Sequence, residues 1–194
     1  MKSISYYNTY SEKFIRGTID ANMSKHHNRF VKYIKKDGTI LDLGCGSGRD
    51  SLFFYNNGYQ VTSMDGAIKM VEHCKRILSN PVIHNTFEDY IPDRQFDGIW
   101  ACASLLHVDR NHLSSIIKKY IATLKKNGVF FMSFKDRAED FEKDGRYFTC
   151  FDKNRLIEFI SQYENIQILE VTETIDVRTL TTDQRWVSII VKKV

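Results

Sequence analysis

Apolar runs of strand length alternate with stretches of helical spacing along most of the chain. The run at 129–134 is continuously apolar, which is typical of a strand buried on both faces of a sheet. Between the runs, stretches such as 50–57, 68–78 and 111–124 place their apolar residues on one face of a helix. The runs that predict strands are 40–43, 60–64, 82–84, 96–102 and 129–134.

This alternation predicts an α/β fold with a Rossmann-like, doubly wound sheet of about seven mostly parallel strands. Two further strand patterns, 166–175 and 186–191, have only the short polar connection 176–184 between them. Strands joined so closely must pair antiparallel, so we expect a C-terminal hairpin at the edge of the sheet. Ligands of such sheets bind at the carboxyl ends of the strands, and the site is expected there.

We expect a single domain over residues 1–194, because no linker, repeat or low-complexity segment interrupts the pattern. Residues 1–37 read as two helices and predict a helical lid. Residues 38–135 hold the predicted cofactor-binding core. The remainder, 136–194, is predicted to be an acceptor-side insertion, helix and hairpin, with a polar and irregular start at 136–151.

Composition narrows the class of protein. Hydrophobic residues at 42% and charged residues at 27% are globular values, and a net charge of +4 with dispersed basic residues disfavours a nucleic-acid partner. The four cysteines are widely spaced and form no zinc pattern, so no metal site is predicted. Without a signal-like or membrane-spanning apolar run, we expect a cytoplasmic protein with no membrane partner. The oligomeric state is left open.

A glycine-rich loop follows the first predicted strand. Gly44, Gly46 and Gly48 fall at alternate positions, where missing side chains let a ligand approach the backbone. Asp65 ends the second strand, where a carboxylate can accept hydrogen bonds from both hydroxyls of a ribose. The glycine spacing is tighter than the dinucleotide pattern and leaves less provision for a pyrophosphate, so a nicotinamide-dependent oxidoreductase is the weaker interpretation.

Several motifs in order carry a resemblance. Leu41-Asp-Leu-Gly-Cys-Gly-Ser-Gly48, then Asp65, Phe96-Asp97-Gly98 and Leu124-Lys-Lys-Asn-Gly-Val-Phe130 are similar to the successive motifs of class I S-adenosylmethionine-dependent methyltransferases. The resemblance covers roughly residues 28–135. It implies S-adenosylmethionine as the cofactor and methyl transfer as the activity.

The same resemblance implies roles at the methionine end of the cofactor. Asp42 would steady the ammonium group, the backbone carbonyl of Ala101 would accept a hydrogen bond from it, and Arg49 would help to hold the carboxylate. The implied residues at this end are Asp42, Gly44, Cys45, Gly46, Arg49 and Ala101.

At the nucleoside end, the resemblance implies contacts with the ribose and the adenine. Asp65 would bind the ribose hydroxyls, while Gly66 and Met70 would surround the adenine. The loop after the third strand would read the adenine edge. The implied residues are Asp65, Gly66, Met70, Thr86, Phe87 and Glu88.

The methyl acceptor is predicted to be a small molecule. Trp100-Ala-Cys-Ala-Ser104 stands where relatives that methylate exocyclic amines carry Asn/Asp-Pro-Pro-Tyr. His107 follows and is a candidate base or orienting group. Lys135 and Arg146 are candidate substrate-binding residues, as are Tyr7 and Tyr10, which share one face of an N-terminal helix.

Arg178 and Arg185 flank the last turn and could clamp an oxyanion through bidentate hydrogen bonds. Their spacing, the hairpin and the N-terminal tyrosines resemble the tellurite-resistance (TehB-like) group of small-molecule methyltransferases. In that group a histidine precedes the first arginine, whereas this chain has Val177. Asp176 or His107 is then the candidate for a base.

We therefore expect S-adenosylmethionine-dependent methyl transfer to a small acceptor that is anionic or a soft nucleophile. A polarisable acceptor needs no strong base, because the sulfonium leaving group is already activated. The alternative is a cofactor-binding partner subunit of the same fold that has no catalytic activity.

Overall fold

The computed structural model describes residues 2–178 and 184–194, without the side chain of Lys2. The middle of the predicted connection 176–184 therefore lies outside the described residues. The strands are β1 (Thr39–Leu43), β2 (Gln60–Asp65), β3 (Val82–His84), β4 (Phe96–Ala101), β5 (Leu124–Lys135), β6 (Phe141–Lys143), β7 (Arg146–Phe148), β8 (Ile166–Ile175) and β9 (Arg185–Lys193).

Seven of these strands form one sheet in the order β3-β2-β1-β4-β5-β9-β8. The first five strands in this order, β3, β2, β1, β4 and β5, run parallel to one another. The strand β9 is antiparallel to both β5 and β8. The predicted mostly parallel sheet with an antiparallel C-terminal hairpin is confirmed. The chain turns from one half of the sheet to the other between β1 and β4, and ligands of doubly wound sheets bind at that point.

Helices cover both faces of the sheet. One buried apolar cluster includes Leu41, Met132 and Phe134, and the other includes Ile40 and Phe131. Alternation along each strand sends neighbouring side chains to opposite faces. The helices are α1 (Lys2–Thr9), α2 (Ser11–Thr18), α3 (Ser24–Val31), α4 (Arg49–Asn56), α5 (Ile68–Ile77), α6 (Arg110–Ala122) and α7 (Lys153–Ser161).

The N-terminal region contains three helices, so the prediction of two was wrong. The first predicted helix is divided at Tyr10, which lies between α1 and α2. Thr9 donates its hydroxyl hydrogen to the carbonyl of Ser5 (2.9 Å), and back-bonding of this kind bends helices. The apolar spacing continues across the bend, which is why periodicity alone did not reveal it.

Residues 136–151 were predicted to be irregular, but they contain the two-stranded hairpin β6–β7. Asp144 and Gly145 form its turn with φ of 52° and 73°, the backbone that an Asp-Gly hairpin turn requires. Phe141 and Phe148 stack on each other across the strands, with ring centroids 4.6 Å apart. The Asp-Gly pair between two phenylalanines was the local signal for this hairpin.

None of the helices in the described part of the chain is both long and apolar enough to cross a bilayer.

Candidate active site

A cavity of about 610 Å³ lies at the carboxyl ends of the parallel strands, beneath α1 and α2. Asp42, Ala101 and Glu88 are not among the residues that line it. Glu88 is exposed and borders a separate shallow depression. The predicted site residues that line the cavity are Tyr7, Tyr10, Gly44, Cys45, Gly46, Arg49, Asp65, Gly66, Met70, Thr86, Phe87, His107, Lys135, Arg146, Arg178 and Arg185.

The loop after β1 brings backbone atoms to the cavity. Gly44 has φ of 84°, and a Cβ built on it would lie 2.5 Å from Cβ of Ser104. Ser104 is fixed there because its hydroxyl donates to the carbonyl of Leu43 (2.6 Å). Glycine is therefore required at this position both by its backbone conformation and by the close approach of Ser104.

Asp65 joins this loop to the end of β2. Its carboxylate accepts the backbone N–H of Gly46 (2.9 Å) and that of Ala67 (2.8 Å). Burial raises the pKa of Asp65, and the backbone N–H groups partly oppose that increase. Each carboxylate oxygen retains a lone pair, so the group can accept further hydrogen bonds from ligand hydroxyls in the cavity.

Asp42 and Asp50 lie beneath the loop and carry different charges. Asp42 accepts a hydrogen bond from Ser51 (2.6 Å), and burial together with the negative charge of Asp50 raises its pKa to about 8. Burial also opposes ionisation of Asp50, but the charge of Arg49 and the hydrogen bonds from His27 and Arg49 outweigh it. The pKa of Asp50 therefore lies well below its usual range.

Arg49 is held at the cavity wall by Asp50. Its Nε and Nη2 donate to the two carboxylate oxygens of Asp50 at 2.7 and 2.8 Å. Asp50 also accepts from His27 (2.8 Å) and Trp100 (2.9 Å), so four donors fix its position. The guanidinium is thus pre-oriented and still lines the cavity.

His107 and Tyr7 form a hydrogen-bonded pair. Nδ1 of His107 lies 2.8 Å from the carbonyl oxygen of Tyr147, which can only accept, so Nδ1 carries the proton. Nε2 then accepts the hydroxyl hydrogen of Tyr7 (2.8 Å). Burial lowers the pKa of His107 to about 4, and the imidazole is uncharged near neutral pH.

Cationic side chains gather at the other end of the cavity, near the C-terminal hairpin. Arg178 donates twice to Asp176, from Nε (2.9 Å) and Nη2 (2.6 Å), and Trp186 donates to the same carboxylate. Lys135 lies 4.2 Å from the centroid of the Trp186 ring, and burial lowers its pKa to about 8. Arg185 begins β9 beside this group.

Asp176 is poorly suited to act as the base. Burial raises its pKa, but the hydrogen bonds and charge of Arg178 outweigh that effect and bring the pKa well below its usual range. A carboxylate with so low a pKa has little tendency to take a proton. Of the two candidates, His107 has the higher pKa, about 4, and its Nε2 lone pair accepts the hydrogen bond from Tyr7.

Arg146 links the β6–β7 hairpin to α1. Its guanidinium carbon lies 3.8 Å from the centroid of the Tyr6 ring, and Nη2 pairs with Asp144 (3.2 Å). Among the described residues, nothing accepts a hydrogen bond from its buried Nε. The side chain therefore holds α1 over the cavity by stacking on Tyr6 and by its interaction with the hydroxyl of Tyr7.

The cavity is also lined by residues that the sequence reasoning missed. Phe131, Ser133 and Lys135 alternate along one face of β5, and Trp186 and Ser188 lie opposite the last two of these on β9. Polar residues at alternate positions near the end of an apolar strand were the available signal. The missed lining residues include Phe14, His26, Cys102, Ser133, Trp186 and Ser188.

The turn after β4 is strained. Ala103 has φ of 51°, a conformation that non-glycine residues rarely adopt, and its N–H donates to the hydroxyl of Ser133 (2.8 Å). Such backbone strain is concentrated at functional sites. No group of three or more His, Cys, Asp or Glu residues in the described ranges is placed to hold a metal ion.

Comparison with known proteins gives the family. A family model described as "Methyltransferase domain" matches residues 15–170. A curated relative from Bacillus subtilis (strain 168), named "Putative methyltransferase YqeM", is 26% identical over 114 residues, which are 53% of this chain and 46% of that protein. The aligned part is thus less than half of the relative's length.

Solved structures share the fold over most of the chain. The 1,6-didemethyltoxoflavin-N1-methyltransferase of Burkholderia thailandensis, bound to 1,6-didemethyltoxoflavin and S-adenosylhomocysteine, has a TM-score of 0.80 and 17% identity. The match covers 99% of this chain and 87% of that one. TehB from Haemophilus influenzae has a TM-score of 0.73 and 20% identity, covering 96% of this chain and 66% of that one.

Proposed function

Because the chain belongs to the methyltransferase-domain family and uses S-adenosylmethionine as its cofactor, we propose that it methylates a small anionic acceptor bound at the basic end of the cavity. The observation that carries the proposal is the division of a single cavity into two ends. One end has the glycine loop and Asp65, and the other has Lys135, Arg146 and Arg178.

The loop end fits the cofactor. The backbone of Gly44, Cys45 and Gly46 is open to the methionine moiety, and Asp65 keeps lone pairs for the ribose hydroxyls. Arg49, already oriented by Asp50, is the cation for the carboxylate. When bound, S-adenosylmethionine supplies a sulfonium methyl group for in-line displacement by the acceptor.

The remaining cofactor assignments differ in their support. Gly66, Met70, Thr86 and Phe87 line the cavity and can surround the adenine. Asp42 and Ala101 lie beneath the lining. Asp42 would therefore act on the ammonium group through intervening groups, and Ala101 would act through its backbone carbonyl. Glu88 has the least support, because its side chain is exposed outside the cavity.

The basic end fits an anion. A charged acceptor group would gain charge-assisted hydrogen bonds from Lys135 and from the donors of Arg178 that Asp176 does not use. Arg178 and Arg185 also match the arginine spacing of the TehB-like group. Relatives support a small acceptor, since the Burkholderia enzyme binds 1,6-didemethyltoxoflavin.

His107 is proposed to orient the acceptor or to take its proton. The imidazole is neutral, but its Nε2 lone pair is occupied by the Tyr7 hydroxyl. Tyr7 must therefore move, or must relay the proton, before His107 can act as a base. A soft or already ionised acceptor would not need this step.

Three parts of the chain are proposed to divide the work. Residues 1–37 form a lid, with Tyr7 and Tyr10 facing the cavity, residues 38–135 bind the cofactor, and residues 136–194 bind the acceptor. A cofactor-binding subunit without catalytic activity would not need a cavity that extends from the glycine loop to the hairpin. That extension favours the enzyme over this alternative.

The cofactor assignment is tested by titration calorimetry with S-adenosylmethionine. Asp65→Ala removes an acceptor of charge-assisted hydrogen bonds and should weaken binding at least about tenfold. The matched control is Asp93→Ala, whose side chain is 84% exposed. If the wild-type protein does not bind S-adenosylmethionine, or if Asp65→Ala binds it equally well, the assignment of this end fails.

The acceptor class is tested by measuring S-adenosylhomocysteine formation with metalloid oxyanions, thiols and small carboxylates. Arg178→Ala should raise KM for the acceptor at least about tenfold and leave the affinity for S-adenosylmethionine unchanged. Arg94→Ala, with 57% of its side chain exposed, is the control. Turnover of neutral acceptors alone, with no effect of Arg178→Ala, would contradict an anionic acceptor.

A further inference from the structure

Two buried polar side chains line the cavity without a hydrogen-bond partner among the described residues. His26 is 8% exposed and Ser188 is 3% exposed. Both belong to the cavity lining, and neither is assigned to the cofactor or to the basic end. The polar atoms of both side chains are open to the cavity and are not enclosed by protein, so a ligand bound there can supply the hydrogen bond that the protein does not.

Both residues lie at the sheet face that Phe131, Ser133 and Lys135 share. His26 is on α3 and packs edge-on against Phe131, with ring centroids 5.9 Å apart. Ser188 lies opposite Ser133 in the β5–β9 ladder, two positions from the Lys135–Trp186 pair. Two residues along a strand correspond to about 7 Å, a distance that one aromatic ring with para substituents can span.

The charged side chains near His26 are already paired, Arg29 with Glu170 and Arg49 with Asp50. Burial lowers the pKa of His26, and the nearby charge of Arg29 lowers it further, so the imidazole offers one donor and one acceptor near neutral pH. Burial raises the pKa of Cys102 to about 12, which keeps its thiol protonated. This part of the cavity therefore favours a neutral hydrogen-bonding group, in contrast to the cationic end.

Aromatic rings form the cavity wall between the basic end and the region of His26 and Ser188. Phe131 is stacked on Trp100, with centroids 3.9 Å apart, and lines the cavity, while Trp186 lies above it beside Lys135. Flat apolar walls with a few polar groups at each end select planar ligands. An aliphatic acceptor, or a bare oxyanion, would use neither the wall nor the two unpartnered side chains.

We propose that His26 and Ser188 bind a neutral hydrogen-bonding substituent of the acceptor, and that the acceptor is a small aromatic molecule with its anionic group at Lys135 and Arg178. This inference rests on the proposed function, since it places the acceptor in the same cavity. It adds the acceptor's scaffold and its second polar group.

The test compares 4-hydroxybenzoate with benzoate in calorimetric titrations of the protein saturated with S-adenosylhomocysteine. Both probes carry the anionic group, and only the first carries the neutral hydroxyl. We expect the wild-type protein to bind 4-hydroxybenzoate about fivefold to tenfold more tightly, as one or two additional hydrogen bonds would give. His26→Phe and Ser188→Ala should each reduce this preference and leave benzoate binding unchanged.

Two controls separate this proposal from its premise. Ser115→Ala, an exposed serine on α6, should keep the full preference. The affinity for S-adenosylhomocysteine should be the same in all variants. If the wild-type protein does not bind S-adenosylhomocysteine at all, the cofactor assignment is overturned instead. In NMR spectra, the imidazole nitrogens of His26 should shift with 4-hydroxybenzoate and not with benzoate. Equal binding of the two probes, binding of neither, or a preference that survives both substitutions overturns the proposal.

Discussion

Three aspartates near the glycine loop have three different electrostatic environments. Asp65 is partly buried and held by backbone N–H groups, and it faces the cavity. Asp42 is fully covered beside Asp50, and its pKa of about 8 leaves it largely protonated near neutral pH. Asp50 stays ionised because Arg49 and His27 surround it. The same side chain therefore acts as a ligand acceptor, a neutral buried group or an anchor, according to its neighbours.

Gly44→Ala is expected to destabilise the protein. The substitution combines a left-handed φ of 84° with a Cβ placed 2.5 Å from Cβ of Ser104. Strain and overlap of this kind cost on the order of 2–4 kcal/mol of the free energy of unfolding. Urea denaturation of the free protein measures the loss.

Gly17→Ala is the matched control for that experiment. Gly17 lies in α2, and a Cβ built on it meets no atom within 4 Å. Alanine in a helix should be neutral or stabilising by roughly 0.5–1 kcal/mol. Equal stability of the two variants would mean that the loop after β1 adjusts without cost.

Single residues of the site were predictable where the pattern was local. Gly44, Gly46 and Asp65 follow from a strand, a loop and the next strand end, all within a short stretch of sequence. The Tyr7–His107 pair joins residues one hundred positions apart, and His26 meets Phe131 from another layer of the fold. No spacing in the sequence encodes such contacts, because they depend on how the helices pack on the sheet.

Among the elements, β1, β4 and β5 are joined at their amino ends, on the side of the sheet opposite the site. Asp97 on β4 accepts the backbone N–H and the hydroxyl of Thr39 on β1, both at 2.8 Å, and the ammonium of Lys125 on β5 at 2.6 Å. One carboxylate thus joins three adjacent strands at their amino ends. The carboxyl ends, which carry the cavity, are left free for ligand contacts.

Asp97→Asn should destabilise the fold by on the order of 1–3 kcal/mol, because it removes charge-assisted hydrogen bonds. Burial opposes ionisation of Asp97, but the hydrogen bonds from Lys125 and Thr39 outweigh it and lower the pKa to about 2, below its value of about 4 in an unfolded chain. The stabilisation is therefore complete above about pH 4 and is lost as the pH falls towards 2. Denaturation of both proteins at neutral pH and at low pH measures this.

The control is Asp93→Asn, since that side chain is 84% exposed. Its free energy of unfolding should follow the wild type across the whole pH range. A constant difference between Asp97→Asn and the wild type, from neutral to the lowest pH, would show that the carboxylate charge does not contribute.

Element types followed from periodicity, whereas their ends and breaks did not. The alternating strands and helices predicted the sheet and its C-terminal hairpin. The bend at Tyr10 and the start of β5 at Leu124 arise from a side-chain hydrogen bond and from pairing with β4. The β6–β7 hairpin was missed because two strands of three residues give too short an alternation to recognise.

At the level of the whole molecule, α1 and α2 form a roof that reaches both ends of the cavity. Ile4 of α1 lies against Gly66, and Phe14 of α2 lies over Gly46. Arg146 fixes the same roof from the hairpin side. A ligand in the cavity would therefore contact the strand ends and the roof together, which couples binding to the ordering of the N-terminal helices.

Hydrogen–deuterium exchange can measure this coupling. Some amides of α1 and α2 can exchange only after an opening that releases the ligand. At S-adenosylhomocysteine concentrations near one hundred times Kd, these amides should exchange up to about a hundredfold more slowly. Amides of α7, which does not line the cavity, should change less unless they exchange by global unfolding. Equal slowing of α7 and α1, or none in α1, would show that the roof does not respond to the cofactor.

The position of β9 has a consequence for the newly made protein. β9 follows β8 in the sequence, yet in the sheet it lies between β5 and β8. While a ribosome is still translating β8, that strand has no partner, and the twelve-residue strand β5 has one bare edge. Such an edge is a template for aggregation and a target for chaperones. The sheet, and with it the Lys135–Trp186 wall of the cavity, is completed only when Arg185–Lys193 has emerged.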